Sequence, residues 1–150
     1  IPAMLDFTLA LKNGESNQTY NTPSLTTIYL LEKQLQWFLD RGGLRAVAKE
    51  ADEKVKVLAD WVARRPKELS WYIKDASARS KTVCTINLDK SIPFEALTKH
   101  LRKFGVLDID AYRNLGENQI RISIFPNVAK DDLVKLTKCI DYCLDNRKGS

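Results

Sequence analysis

The sequence predicts an α+β fold, namely a two-layer α/β sandwich that is preceded by two helices, one of them long. Apolar residues recur at helical spacing over 23–40 and again over 44–64. From 70 onward, stretches in which apolar and polar residues alternate are separated by two further helical stretches. After a short first strand, the expected order in this second half is β-α-β-β-α, which predicts a mostly antiparallel sheet with helices on one face.

The first helix is expected from Pro23 to about Asp40. Thr22 is a favoured N-cap residue, and proline is favoured at the first helical position. Apolar residues then follow at spacings of 3, 4, 3 and 1, in the order Ile28, Leu31, Leu35, Phe38 and Leu39. The pair Gly42 and Gly43 is typical of a left-handed helix end.

The second helix is expected from about Leu44 to Arg64, because Pro66 stops it. At 1.5 Å per residue it is roughly 30 Å long. We therefore divide the chain into an N-terminal extension, 1–65, and a small α+β domain, 66–150.

Alternation and capping signals predict the elements of this domain. A short strand is expected at 71–73, and a second at 81–88 has Cys84, Ile86 and Leu88 on one face. The next helix begins near Ser91 or Ile92, with Pro93 in its first turn, and ends by Gly105. The remaining elements are expected to be a short strand at 106–110, a strand at 119–125 and a last helix at 130–144.

Two stretches of the sequence are candidates for binding an anion. At the first, the unpaired amides expected at the helix N-terminus lie beside Asn21 and Thr22, so a phosphate would be bound well there. At the second, Ile120, Ile122 and Ile124 alternate with Arg121, so Arg121 faces away from the core. An ordinary helix cap and solvated surface arginines are the alternative interpretations.

A second arginine, Arg113, precedes the turn before this strand. It can lean toward the same space as Arg121. Two guanidinium groups repel one another unless anions join them, so the pair suits a small ligand with two acidic groups.

Composition excludes several classes of function. The chain of 150 residues carries a net charge of +5, but its basic residues are scattered among 19 acidic ones, so nucleic-acid binding is not favoured. We find no membrane-spanning stretch and no signal peptide, and we expect a cytoplasmic protein. Three cysteines without a CxxC spacing, with His100 as the single histidine, indicate no metal site. Burial is expected for Cys139 and Cys143, and no catalytic residue is assigned.

The chain resembles the C-terminal part of phosphoserine aminotransferase, a pyridoxal-phosphate enzyme of serine biosynthesis. The resemblance runs over nearly the whole chain and is carried by Gln18–Pro23, Gly42–Leu44, Ala78–Ser80, Tyr112–Arg113 and Arg121. It implies that the α+β sandwich is the small C-terminal domain of a fold type I enzyme, and that 1–65 holds the Asn-Thr-Pro loop and linking helices from the cofactor domain.

The resemblance also implies roles for individual residues. Asn21 and Thr22 would hold the phosphate of pyridoxal 5′-phosphate across the interface of a homodimer. Arg113 would bind the substrate phosphate and Arg121 its α-carboxylate. Tyr112 stands where many members have histidine, so it brings a hydroxyl donor without a positive charge.

The same resemblance implies that the Schiff-base lysine lies well upstream of the Asn-Thr-Pro segment, in a region that this chain lacks. We therefore expect a fragment that is inactive alone, from an enzyme that interconverts phosphoserine, glutamate and their keto acids. One alternative is a stand-alone small-molecule-binding or regulatory module with a ferredoxin-like sandwich, although the tail after 144 offers no final strand. Another is a structural or dimerisation domain without a ligand.

Overall fold

The computed structural model describes residues 2–112 and 116–146. In this part of the chain there are five α-helices, three β-strands and two short 3-10 helices, at Ala3–Leu5 and Ala76–Ala78. The helices and strands are α1 (Phe7–Glu15), α2 (Leu25–Asp40), α3 (Gly43–Arg64), β1 (Leu69–Trp71), β2 (Val83–Leu88), α4 (Phe94–Arg102), β3 (Gln119–Ser123) and α5 (Lys130–Asp145). The predicted α+β class is confirmed. None of the described helices is both long and apolar enough to cross a membrane.

The chain forms two compact units, 1–44 and 45–150. The first contains α1 and α2, and neither helix has a buried side chain. The second contains most of α3 together with the sheet, α4 and α5. This differs from the division expected after residue 65, because Leu58, Trp61 and Val62 of α3 are buried in the core beside the sheet. The assignment of 1–65 to the cofactor domain of a longer protein stays a prediction.

The start of α2 differs from the prediction. Its N-cap is Ser24, whose carbonyl accepts the first helical hydrogen bond from the Ile28 amide at 3.0 Å. The sequence predicts Thr22 as the N-cap, and this prediction is wrong by two residues. Ser24 does not cap the helix through its side chain, because its hydroxyl forms a hydrogen bond with the Thr27 hydroxyl at 2.8 Å, so its backbone carbonyl alone marks the start of the helix. At its other end, Gly42 and Gly43 have φ of 92° and 71°, as predicted.

The sheet has the order β1-β2-β3, and both strand pairs are antiparallel. On β2 the burial alternates, with Cys84, Ile86 and Leu88 inside, as the sequence predicts. The first strand, however, is Leu69–Trp71 and not 71–73, because Trp71 pairs with Ile86 and therefore contributes to the core face.

The strand expected at 106–110 is absent. This segment shares one backbone hydrogen bond with β3, from the Arg121 amide to the Ile109 carbonyl at 3.0 Å. Asp108 has φ of 58°, a left-handed conformation that interrupts an extended run. The observed order after α3 is therefore β-β-α-β-α, and the described residues contain no strand after α5.

The core lies on one face of the sheet, where α3, α4 and α5 contribute apolar side chains. Its fully buried members include Leu58, Trp61, Ile86, Leu101, Ile120 and Ile140.

Polar contacts reinforce the packing of α3. The buried Lys54 pairs with Glu50 at 3.0 Å and donates to the Phe125 carbonyl at 3.1 Å. Near the end of the helix, Trp61 and Arg65 both donate to Asp141 of α5, at 2.8 and 2.6 Å.

The N-terminus of α4 is capped by a residue from a distant part of the chain. The predicted region is right, since Pro93 precedes the first helical residue, but neither Ser91 nor Ile92 caps the helix. Instead Asn118 accepts a hydrogen bond from the Phe94 amide at 3.0 Å. Its amide nitrogen also donates to three carbonyls of the preceding turn at 2.9 to 3.2 Å, those of Leu88, Asp89 and Ile92.

Candidate functional site

The face of the sheet opposite the core is polar. Because side chains alternate along a strand, Arg121 shares this face with Gln119 and Ser123 of β3. Across the β2–β3 pair, Thr85 lies opposite Arg121, and Asn87 lies opposite Gln119. We call these five residues the polar sheet face. Arg121 thus points away from the core, as the alternation predicts.

Arg121 and Tyr112 meet on this side of the sheet. The Arg121 guanidinium carbon lies 5.0 Å from the centre of the Tyr112 ring, within the range of a cation–π contact. Among the described residues, this guanidinium has no hydrogen bond and no ion pair. No described residue therefore occupies its N–H groups, and a carboxylate can accept two such groups at once.

Arg113 lies outside the described residues. Its placement beside Arg121 therefore stays a prediction. The described residues on either side of the gap are Tyr112 and Gly116, and both are exposed.

Two amides on the polar sheet face were missed by the sequence reasoning. The Asn87 Oδ1 and the Gln119 Nε2 atoms are buried and have no hydrogen-bond partner among the described residues. Gln119 is 1% exposed although it lies on the face opposite the core. Buried polar atoms are normally paired, so these two mark a place that a polar group is expected to cover. The sequence does carry a signal for them: Asn87 lies two residues after Thr85 and Gln119 two residues before Arg121, a spacing that places side chains on the same face of a strand.

Asn21 and Thr22 lie in the first unit, on the exposed stretch before α2. The Thr19 hydroxyl donates to the Asn21 carbonyl at 2.6 Å. Among the described residues, the side chains of Asn21 and Thr22 form no hydrogen bond, so an amide and a hydroxyl remain available as donors. Because the helix begins at Leu25, its free amides are farther along the chain from Thr22 than the sequence predicted.

A cavity of about 380 Å³ in the second unit is lined by none of the predicted site residues. Residues of α4 and α5 line it, with His100, Tyr142 and Cys143 as its reactive groups. Burial is the main cause that raises the pKa of the Cys143 thiol, which keeps the thiol protonated near neutral pH. Cys139 and Cys143 are partly buried and not fully so, because they lie at the edge of the core. The described residues contain no cluster of three potential metal ligands.

Fold and site together define a class of protein. A three-stranded antiparallel sheet with helices on its core face and a long preceding helix matches the small C-terminal domain of fold type I pyridoxal-phosphate enzymes. A solved structure of phosphoserine aminotransferase, 26% identical, superposes over 98% of this chain and 40% of its own with a TM-score of 0.83. The protein from Bacillus circulans subsp. alkalophilus, 24% identical, covers 99% of this chain and 39% of its own at a TM-score of 0.84.

Curated relatives give the same result. The phosphoserine aminotransferase of Corynebacterium glutamicum is 41% identical over 145 residues, and the putative phosphoserine aminotransferase of Mycobacterium leprae is 39% identical over 146. Each alignment covers 97% of this chain, which spans 38% of the length of either relative. No family model matches the chain. The chain belongs to the phosphoserine aminotransferase family and corresponds to the C-terminal portion of its members.

Proposed function

We propose that the chain is the C-terminal part of a pyridoxal-phosphate-dependent phosphoserine aminotransferase. The complete enzyme converts 3-phosphohydroxypyruvate and glutamate to phosphoserine and 2-oxoglutarate. The observation that supports this most directly is Arg121, whose guanidinium stands on the polar sheet face with no anionic partner among the described residues. A carboxylate is a natural partner for such a group, and every substrate of this reaction carries one.

The substrate is held by its two acidic ends. Arg121 binds the α-carboxylate with two parallel N–H···O bonds, which orients the substrate's Cα–H bond. Arg113 binds the phosphate of phosphoserine and so selects the phosphorylated substrate. Each hydrogen bond to a charged group contributes about 1.5 to 3 kcal/mol.

The side chains of Asn21 and Thr22 are hydrogen-bond donors of the kind that binds the phosphate of pyridoxal 5′-phosphate. The Asn21 amide and the Thr22 hydroxyl are exposed, and among the described residues neither is engaged by another side chain. They would hold the phosphate across a homodimer interface, so dimerisation completes the site. The cofactor, when bound, supplies the electron sink for the transamination chemistry.

The chain by itself is proposed to be inactive, and the complete enzyme to be cytoplasmic. The Schiff-base lysine of the family is assigned to the part of these proteins that precedes the matched region. The residues of this chain bind and orient the substrate but do not carry its protons.

The test uses the complete protein. Purified with pyridoxal 5′-phosphate, it is expected to show the visible absorption band of the bound cofactor. Phosphoserine or glutamate should bleach the band, and the matching keto acid should restore it. The 150-residue chain serves as the control and should show neither change. A complete protein that binds the cofactor but does not respond to either amino acid would contradict the proposed function.

A further inference from the structure

We propose that Tyr112 is a positioning residue for Arg121: its ring supports one face of the guanidinium and so presents the N–H edge to the ligand carboxylate. This inference rests on the proposed function only for the identity of the ligand. It deepens that proposal, because it gives position 112 a role that differs from the phosphate contact implied by the family resemblance.

The geometry of the pair leads to this role. The ring centre of Tyr112 is 5.0 Å from the guanidinium carbon, and Tyr112 is 58% exposed. A tyrosine this exposed contributes little to the core, so its ring is free to serve the arginine. Arg121 itself is anchored by β3, where its amide donates to the Ile109 carbonyl at 3.0 Å.

A guanidinium can use its face and its edge at the same time. The planar face stacks on an aromatic ring, while the N–H donors lie in the plane and reach a carboxylate bidentately. Stacking also restricts the rotamers of a long side chain before the ligand arrives, which lowers the entropic cost of binding. The ring therefore improves carboxylate binding without touching the ligand.

In the alternative role, the hydroxyl of Tyr112 contacts the ligand. It donates a hydrogen bond to the substrate phosphate, and the ring does not contribute to binding. The two roles separate in two variants, since Tyr112→Phe keeps the ring without the hydroxyl and Tyr112→Leu removes both. Tyr142→Leu is a matched control, because Tyr142 is 68% exposed and lies on α5, outside the polar sheet face.

The first measurement is the NMR resonance of the Arg121 Nε–Hε group in the 150-residue chain. The ring current of Tyr112 should shift this proton, and the shift should persist in Tyr112→Phe and in Tyr142→Leu. It should disappear in Tyr112→Leu. An unchanged Arg121 resonance in Tyr112→Leu, or an equal loss in Tyr112→Phe, would overturn the proposal. This readout needs neither cofactor nor activity, so it tests the contact between the Tyr112 ring and the Arg121 guanidinium even where the proposed function fails.

The second measurement is steady-state kinetics of the complete protein. Tyr112→Leu is expected to raise KM for both glutamate and phosphoserine by about 2- to 5-fold, the range of an exposed cation–π contact. Tyr112→Phe should restore both KM values to near the unmodified protein's. A rise in KM for phosphoserine alone in Tyr112→Phe would assign the hydroxyl to the phosphate and overturn the positioning role.

Discussion

The position of Arg121 on β3 determines that its guanidinium can bind an anion. Ile120 and Ile122 are almost completely buried, so the residue between them must project from the other face. On that face the described residues give it an aromatic ring and no acidic partner. A cation placed in this way binds an anion from outside the chain more readily than one already paired within it.

Substitutions of Arg113 and Arg121 in the complete protein are expected to affect the two amino-acid substrates differently. Arg113→Ala should lower kcat/KM for phosphoserine by about 10- to 100-fold, because the proposed role of Arg113 is to form charge-assisted hydrogen bonds to the phosphate. Glutamate use should fall less, since glutamate carries no phosphate. Arg121→Ala is the comparison, and it should impair both substrates because both present an α-carboxylate. Equal losses for the two substrates in Arg113→Ala would contradict the assignment.

The buried thiol of Cys84 makes the free energy of unfolding depend on pH. Burial raises the pKa of its thiol to about 11, against the smaller opposite effect of Arg79. Since the folded-state pKa is raised, this contribution to stability is complete below the unfolded pKa of 9.0 and is lost as pH rises toward 11.

Between about pH 8 and pH 10.5, the free energy of unfolding should fall by about 2 kcal/mol more in the unmodified chain than in Cys84→Ala. Urea denaturation at the two pH values measures the difference. Val83→Ala on the same strand has no titrating group, so it should keep the full pH dependence. The same decline in Cys84→Ala as in the unmodified chain would assign the effect to other residues.

At the scale of elements, α4 shows how a helix can depend on a residue far away in the sequence. Its first amide is satisfied by Asn118, 24 residues later, and the same side chain joins three carbonyls of the turn before the helix. One amide group therefore holds the end of β2, the turn and the start of α4 in register with β3.

Asn118→Ala is expected to lower the free energy of unfolding by about 2 to 4 kcal/mol, because it removes a helix cap and leaves several polar groups unpaired. Asn118→Asp should cost at least as much, because its carboxylate still accepts from the Phe94 amide but places an oxygen against the three carbonyl oxygens, which it repels. Urea denaturation provides the measurement. The control is Asn146→Ala, whose side chain makes one exposed local bond and should change stability by about 0.5 kcal/mol or less. A cost for Asn118→Ala no larger than the control's would show that the cap is dispensable.

At the scale of the whole molecule, the two units differ in how they are stabilised. The first contains two helices without a buried side chain, whereas the described residues of the second include 17 buried apolar ones in a single core. Burial of apolar surface is the dominant favourable term in folding. The first unit is therefore expected to be the less stable part of the chain.

Hydrogen exchange of the 150-residue chain should show this difference. Amides of α1 and α2 are expected to exchange in local openings, at least about 100-fold faster than those of β2 and the second half of α3. The within-chain control is α5, which has four buried residues and should be protected like the sheet. Equal protection of α2 and β2 would mean that the first unit is stabilised by contacts beyond its own side chains.

The sequence by itself determined the elements whose signals are local. Periodicity predicted α3 and α5 to within about a residue, and alternation predicted the buried face of β2 and the outward direction of Arg121. These succeed because the helical and extended conformations bring side chains to one face at spacings that the sequence displays directly. The family resemblance rested on short local motifs of the same kind.

Only the tertiary structure decided the rest. Three of these features bring together distant parts of the chain: the cap of α4 by Asn118, the packing of α3 in the core, and the contact between Tyr112 and Arg121. A fourth, the absence of a strand at 106–110, depends on one left-handed residue, Asp108. No pattern of spacing records such contacts, because they are selected by how the folded chain satisfies its polar groups and buries its apolar ones. For that reason the sequence identified Arg121 as a candidate, while the structure supplied its partner.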